Sequence, residues 1–182
     1  MHGDYWVTSD IGNRYKIPMR CNPWQYYPPK NPNVSEEAHD VLDKEAKGLL
    51  DKGAVSKVTS TPGEFVSSFF AVPKPRSEKW RPIINLKNFN SYVRHYKFRM
   101  ETFQKIREWI QPGSYLVGLD LKDQFLSVPV NSRFWKFLRF QWLGELLEWM
   151  VLPFGLKCSP RVVTKILRPI MGFLRRTWGI LI

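Results

Sequence analysis

The chain has 182 residues and a mass of 21.5 kDa, and 43% of its residues are hydrophobic and 15% aromatic. This content excludes a chain that stays disordered through low hydrophobicity, and the length is sufficient to bury one sizeable core. Lys and Arg number 28 against 16 acidic residues, so the formal charge of +12 predicts a polyanionic partner such as nucleic acid, although a solvated basic surface or an anionic membrane would also account for it.

Cysteine usage and the N-terminal segment narrow the class of protein further. Cys21 and Cys158 are far apart, and no CxxC spacing or histidine cluster occurs, so neither a zinc site nor a disulfide framework is predicted. The N-terminus lacks a basic-then-apolar signal pattern, and no apolar run is long enough to cross a bilayer. We therefore expect an intracellular protein, cytoplasmic or nuclear, that is not secreted and does not bind membranes.

The first third of the chain combines an extended segment, a helix and short strands. Residues 1–34 contain five prolines among scattered aromatic residues, which favours an extended arm. A helix is predicted from an N-cap at Ser35, with acidic residues in its first turn and one apolar face, until Gly53. The β-rich runs VSKV, FVSSFFAVP and RPIINL then predict a small antiparallel hairpin within residues 55–86.

The rest of the chain alternates predicted helices with predicted strands. A short helix is expected at residues 102–110, followed by a strand at 115–119 that places Asp120 where strand becomes loop.

Residues 134–142 and 146–152 are predicted strands joined by a turn at Leu143-Gly144-Glu145. Ser159-Pro160 resembles an N-cap with proline in the first turn, so a helix is predicted to about residue 177, bent at Pro169, before a strand at residues 180–182.

Three segments carry the most specific signal: VPKPRSEKWRPIINLKNFN (72–90), LVGLDLKDQFLSVPV (116–130) and LPFGLKCSP (152–160). In this order and at these intervals they resemble the fingers and early palm of a reverse transcriptase from a retroelement, over residues 35–182. RPIINLKNFN and WKFLRFQW are most similar to DIRS-type retrotransposons. The resemblance implies an α+β fold with an antiparallel sheet and packed helices, divided into fingers at residues 35–112 and an incomplete palm at 113–182.

The resemblance also implies a site for a metal-bound deoxynucleoside triphosphate. Asp120 would be a ligand of two Mg²⁺ ions, because a hard oxygen ligand suits that ion. Lys74 and Arg81 would grip the incoming triphosphate, the first as a point charge and the second as a planar fork. Taken alone, an aspartate after a strand more often caps a turn, but the flanking motifs favour the catalytic role.

Two further segments are expected to surround the nucleotide. The resemblance places Asp123 and Gln124 where backbone amides meet the phosphates, and Phe125 where an aromatic ring crowds the 2′ position of the sugar. Pro153, Phe154 and Gly155 resemble the loop beside the nucleotide and the template, where glycine permits a close backbone approach. The cations at positions 157, 161, 165 and 168 recur at near-helical spacing, which fits either a face toward nucleic acid or a solvated helix face.

In the family the remaining carboxylates come from a YxDD hairpin, and the sequence stops at Ile182 without one. Since Mg²⁺ needs several carboxylates and phosphates, we expect the chain alone to synthesise no DNA, with the rest of the palm, the thumb and a ribonuclease H segment supplied elsewhere. The leading interpretation is a fragment of an RNA-directed DNA polymerase that binds an RNA or DNA template–primer and dNTP. The alternative is a catalytically silent nucleic-acid-binding module derived from a retroelement; a peripheral membrane protein is disfavoured by the interspersed acids.

Overall fold

The structure is a computed structural model that describes residues 12–98, 104, 107, 108, 110–115, 117, 118 and 120–178. Its elements in chain order are α1 (Glu36–Asp51), β1 (Val55–Val58), β2 (Val66–Ser67), β3 (Phe69–Pro73), β4 (Trp80–Ile84), α2 (Lys87–Tyr92), a 3₁₀ helix (Ser132–Phe137), β5 (Arg139–Trp142), β6 (Glu145–Trp149) and α3 (Ser159–Trp178). The expected α+β class is confirmed. Within the described residues, no helix is both long and apolar enough to cross a bilayer.

Helix α1 begins and ends where its local signals predict. The Ser35 hydroxyl accepts a hydrogen bond from the backbone N–H of Ala38 at 3.3 Å, which satisfies one of the free donors of the first turn. The buried face of the helix comprises Ala38, Leu42, Ala46 and Leu49, and it packs against β3 and β4. The helix therefore covers one side of the β3–β4 hairpin.

The larger sheet has the strand order β1-β6-β5-β2. Strands β1 and β6 are antiparallel, as are β5 and β6, whereas the short β2 pairs with β5 in parallel. Leu143 and Gly144 form the predicted turn between β5 and β6, and both have positive φ angles, 49° and 80°, as a two-residue turn of the tightest hairpin type requires. The expected antiparallel sheet is thus confirmed, with the β2–β5 pair as the exception.

A buried charged cluster joins β5, β6 and the segment before β2. Arg139 is 5% exposed and donates to a carboxylate oxygen of Glu148 at 2.7 Å, while the same guanidinium pairs with Glu64 and donates to the Thr61 hydroxyl at 2.8 Å. Arg139 lies opposite Glu148 in the β5–β6 register. Because a buried charge is tolerated only when paired and hydrogen-bonded, these contacts fix the register of the two strands.

The predicted hairpin at residues 55–86 is formed by β3 and β4, which pair with Val72 opposite Arg81. Side chains alternate between faces along each strand, so Phe69, Ala71 and Ile84 enter the core. Arg81 lies on the opposite face and is exposed. The hairpin therefore presents its cation away from the core that α1 covers.

Residues 134–142 are only partly a strand, which corrects the sequence prediction. The 3₁₀ helix occupies Ser132–Phe137, and β5 begins at Arg139. The Asn131 side chain accepts from the N–H of Arg133 at 3.2 Å and so caps this helix, and the Trp135 indole donates to the Val130 carbonyl at 2.7 Å. Phe134 and Phe137 would suit a strand, but they are three residues apart, and this spacing places both on the same side of a 3₁₀ helix.

The predicted strand at residues 115–119 is wrong for the residues that are described. Tyr115 is 99% exposed and Val117 is 84% exposed, and neither these nor Gly118 belong to a strand. A strand exists only through pairing with a neighbour, and no described strand pairs with this segment. The helix predicted at residues 102–110 falls largely on residues outside the described ranges, and the strand at 180–182 does so entirely.

The two ends of the described chain both join the main core. Tyr15 and Ile17 of the predicted arm are buried, and Tyr15 forms an isolated bridge with Val130. Helix α3 continues through Pro169 to Trp178, which agrees with the predicted end at about residue 177. Its start differs in detail: Ser159 is already helical, and its hydroxyl donates back to the Pro153 carbonyl at 3.2 Å rather than capping the helix.

Candidate active site

A cleft of about 550 Å³ brings together three of the residues that the sequence assigned to nucleotide binding. We call it the Arg81 cleft. It is bordered by α1, β4, the end of β6 and the loop that follows β6. Its lining includes Glu45, Arg81, Ile83, Trp149, Phe154 and Gly155. A cation, an aromatic ring and an accessible backbone are thus placed around one space.

The loop after β6 is positioned by a side chain that the sequence analysis missed. The Asn90 amide donates to the Gly155 carbonyl at 2.9 Å, and its carbonyl oxygen accepts from the N–H of Lys157 at 2.8 Å. Gly155 has a φ of 84°, and a Cβ added there would lie 3.7 Å from the carbonyl oxygen of Ile84. Asn90 therefore ties the glycine loop beside β4. No local pattern in KNFN signals a contact across 65 residues.

Phe125 and Phe154, predicted separately, are in contact. Their rings meet edge to face, with centroids 5.0 Å apart and planes at 89°. This is a favourable arrangement for two aromatic quadrupoles. Phe125 is half-buried and Phe154 is exposed at the mouth of the Arg81 cleft. The contact joins the turn after Asp120 to the loop after β6.

Asp123 lies in the turn at residues 122–127 and has a positive φ of 55°. Its carboxylate accepts from the Lys52 ammonium at 2.8 Å, so the turn is tied to the end of α1. This hydrogen bond raises the pKa of Lys52 above its ordinary value. Gln124 is half-buried, and its backbone carbonyl accepts from the Ser127 hydroxyl at 2.8 Å.

Lys74 and Arg81 lie on the same face of the β3–β4 hairpin. The backbone N–H of Lys74 donates to the Lys79 carbonyl at 2.8 Å, which extends the ladder that pairs Val72 with Arg81. Lys74 is therefore a diagonal neighbour of Arg81 across the hairpin, within reach of long side chains. Lys74 is exposed.

Asp120 is exposed and directly precedes the turn at residues 122–127. Within the described ranges, no hydrogen bond or ion pair joins it to Lys74 or Arg81. No three Asp, Glu, His or Cys side chains in the described part of the chain cluster closely enough to hold a metal ion. The nearest acid in sequence, Asp123, is paired with Lys52. These donors do not by themselves fit a two-magnesium centre.

A second, strongly basic hollow of about 460 Å³ lies between helix α3 and the segment after α2. We call it the Lys97 hollow. Its lining consists of Lys97, Phe98, Arg161, Thr164, Lys165 and Arg168. The Arg161 guanidinium also lies over the Tyr96 ring, 4.6 Å from its centroid. Three of the four cations noted at near-helical spacing therefore converge on one concave surface, whereas Lys157 does not line it.

Comparison with known proteins identifies the family to which this fold belongs. The family model described as reverse transcriptase (RNA-dependent DNA polymerase) matches residues 72–182. The Gag-Pol polyprotein of bovine immunodeficiency virus (strain R29) is 25% identical over 144 residues, which cover 74% of this chain and 10% of the polyprotein. The chain thus spans about a tenth of the length of that relative.

Two solved structures share the fold at low sequence identity. A foamy viral protease–reverse transcriptase in complex with double-stranded DNA is 20% identical, with a TM-score of 0.62 over 93% of this chain and 29% of that one. A mutant prototype foamy virus protease–reverse transcriptase is 21% identical, with a TM-score of 0.69 over 90% of this chain and 21% of that one. The fold is that of the fingers and palm region of these enzymes. Because the family model covers more than half of the sequence, the chain belongs to the reverse transcriptase family.

Proposed function

We propose that the chain provides the fingers and part of the palm of an RNA-directed DNA polymerase that binds a template–primer and dNTP. The observation that carries this proposal is the Arg81 cleft, in which the finger cation shares one space with Phe154 and Gly155. From RPIINLKNFN and WKFLRFQW we further propose that the parent element is a DIRS-type retrotransposon. A phylogenetic tree that groups the chain with retroviral sequences would contradict this finer assignment.

In the proposed complex, the two hairpin cations receive the triphosphate. Arg81 offers a planar fork of donors that can bind two phosphate oxygens at once, and Lys74 adds a mobile point charge on the same face. Glu45 also lines the cleft, on the α1 side, so the cation and the acid occupy different walls. The phosphates are expected on the wall formed by β4.

The aromatic pair is proposed to select the sugar. Phe154 borders the Arg81 cleft, and Phe125 supports it through the edge-to-face contact at 5.0 Å. The contact restricts the movement of both rings, because each occupies space into which the other could turn. We infer that Phe125 crowds the 2′ position and disfavours a ribose hydroxyl. Replacement of Phe125 by Ala should then reduce the preference for dNTP over rNTP in binding.

Magnesium is proposed for the complete enzyme, where it would neutralise charge on the triphosphate. Asp120 would contribute one oxygen ligand. Since the described acids do not form a two-metal centre, we propose that other segments of the complete polymerase supply further carboxylates, together with a thumb and a ribonuclease H segment. The 182-residue chain alone should therefore incorporate no dNTP on poly(rA)/oligo(dT). Clear primer extension would contradict this.

Nucleic-acid binding is supported by charge and shape. The chain carries a formal charge of +12, and among the described residues four cations and no acid line the Lys97 hollow. Lysine and arginine contacts to phosphates release counterions, so the affinity should fall steeply with salt. We propose that the hollow contacts the phosphate backbone of the template–primer.

The nucleotide site is tested by comparing two hairpin arginines. Arg81→Ala removes the cation of the cleft, whereas Arg76→Ala removes an exposed cation in the turn of the same hairpin that does not line it. Hydrogen bonds to charged groups contribute about 1.5–3 kcal/mol, so Arg81→Ala should weaken dNTP binding roughly 10- to 150-fold by equilibrium dialysis. Equal losses in the two variants would contradict the proposed site.

The second candidate function, a silent nucleic-acid-binding module, is favoured by the absence of a three-ligand metal cluster in the described residues. In that case RNA or DNA affinity should be salt-dependent and unchanged by Asp120→Ala, and dNTP should not bind at all. Measurable dNTP binding that requires Arg81 would exclude this alternative.

A further inference from the structure

Three large aromatic side chains of the arm are exposed rather than buried. Trp24, Tyr26 and Tyr27 are 66%, 70% and 78% exposed, respectively. We call them the aromatic platform. Their rings contact one another in sequence: the centroids of Trp24 and Tyr26 are 5.3 Å apart, and those of Tyr26 and Tyr27 are 4.8 Å apart. The planes of the two pairs meet at 79° and 63°, and each of the three rings stays more than half exposed despite these contacts.

The platform is fixed to strand β2 by Gln25 and to α2 by the backbone of Trp24. The Gln25 side chain donates to the Val66 carbonyl at 2.9 Å and accepts from the Val66 N–H at 2.8 Å, as a neighbouring strand would. The Tyr92 hydroxyl donates to the Trp24 carbonyl at 2.8 Å. The exposed rings are therefore carried by an ordered backbone, and a ligand would not have to order it on binding.

The surroundings of the platform are basic. Residues 12–34 contain Arg14, Lys16, Arg20 and Lys30 and no acidic residue. A hollow of about 290 Å³ beside Trp24 and Tyr26 is also lined by Glu64, but that carboxylate is paired with Arg139. Exposed rings in a segment that also carries cations on both sides are a combination by which proteins bind single-stranded nucleic acid, because the rings stack on bases and the cations follow the backbone.

We propose that Trp24, Tyr26 and Tyr27 form a stacking site for unpaired bases of a single-stranded nucleic acid. This inference rests on the proposed function in that the chain binds nucleic acid, but it concerns a surface separate from the Arg81 cleft and the Lys97 hollow. A basic or apolar protein partner is a poorer fit, since the segment has no acid to pair with a basic partner and its own four cations would remain unpaired against an apolar one.

The test compares the wild-type chain with a Trp24→Ala/Tyr26→Ala/Tyr27→Ala variant. Fluorescence anisotropy would measure the affinity for a labelled 12-nucleotide oligo(dT) and for a blunt 20-base-pair duplex at several salt concentrations. Base–aromatic stacking is lost only for unpaired bases, so the variant should bind the single strand about tenfold or more weakly and the duplex within about twofold of wild type. The slope of log Kd against log salt should not change, because no cation has been removed.

Two further variants separate stacking from folding and from general apolar contact. Trp24→Phe/Tyr26→Phe/Tyr27→Phe retains three rings and should retain most of the single-strand affinity. Phe173→Ala removes an exposed ring on α3 and should leave it unchanged. The proposal is overturned if the alanine variant binds the single strand as tightly as wild type, or if it loses single-strand and duplex affinity equally. Neither result would alter dNTP binding through Arg81, so the two proposals fail independently.

Discussion

Asn90 offers a direct test of how the glycine loop is held beside the Arg81 cleft. Its side chain makes two hydrogen bonds, to the Gly155 carbonyl at 2.9 Å and from the Lys157 N–H at 2.8 Å. A typical intramolecular hydrogen bond contributes about 0.5–1.5 kcal/mol, and Asn90 is only half-buried, so Asn90→Ala should reduce the free energy of unfolding by about 1–2 kcal/mol. For a chain of this size the corresponding fall in Tm is roughly 2–8 °C.

The matched control lies in the same helix. Asn88 is exposed on α2, and Asn88→Ala changes helix propensity by the same amount without removing the bridge. Alanine favours a helix, so this control should be neutral or slightly stabilising. Asn90→Asp can still accept from Lys157 but cannot donate to Gly155, and it should be at least as destabilising as Asn90→Ala.

Urea unfolding of the three variants measures the free energy of unfolding, and equilibrium dialysis measures dNTP affinity. We expect the Asn90 variants to lose both stability and dNTP affinity relative to Asn88→Ala, because the loop that carries Phe154 and Gly155 loses its attachment. The reasoning would be refuted by Asn90→Ala and Asn88→Ala variants with the same unfolding midpoint.

Three other predictions concern buried groups. Arg139→Met should destabilise the chain by about 3–5 kcal/mol in urea unfolding by leaving Glu148 buried and unpaired, and a second change, Glu148→Met, should restore most of the loss; no recovery would contradict this. Burial alone would raise the pKa of the Glu64 carboxyl, but hydrogen bonds from Ser60 and Arg139 outweigh this effect and lower the pKa below the ordinary 4.5. The stability advantage of wild type over Glu64→Gln should therefore be complete above about pH 4.5 and disappear as the pH falls through the lowered pKa. Acid titrations of unfolding would show this loss. Burial raises the pKa of the Cys158 thiol to about 11, so a thiol reagent at neutral pH should label Cys21 alone in the native chain and both cysteines in urea; two labels in the native chain would show that Cys158 is accessible.

The elements that the sequence predicts correctly are those with local causes. Ser35 caps α1 through a bond to a residue three positions away, and the turn at Leu143 and Gly144 needs only two positive φ angles. The helix at Ser159–Trp178 starts where Ser159 and Pro160 predict it, although Ser159 does not act as its cap. In each case the information lies within a few residues, so no distant contact has to be known.

The features that sequence reasoning gets wrong or misses have two causes, local hydrogen bonds that compete with a strand and partners far away in sequence. The aromatic run at residues 134–142 favours one strand, but the nearby Asn131 side chain and Val130 carbonyl stabilise a 3₁₀ helix over its first half. Arg139 gives no sign in sequence that it will be buried, because its two carboxylate partners lie 9 and 75 residues away. Asn90 likewise bridges to Gly155 and Lys157 on a loop that only the folded chain brings near.

The candidate site has one part that contacts within the described chain hold in place and one part, around Asp120, that they do not. Arg81, Phe154 and Gly155 are held by a paired hairpin and by the Asn90 bridge, so this half of the site is formed by contacts within the described chain. Asp120 follows residues whose side chains are almost fully exposed, and it has the Asp123–Lys52 pair and the Phe125–Phe154 contact only on its C-terminal side. A strand at residues 115–119 would need a neighbour along its edge, and the same pairing would orient the carboxylate at its end. If Asp120 is the metal ligand that we propose, completing the sheet would also orient its carboxylate, whereas the hairpin cations are already held by the pairing of β3 with β4.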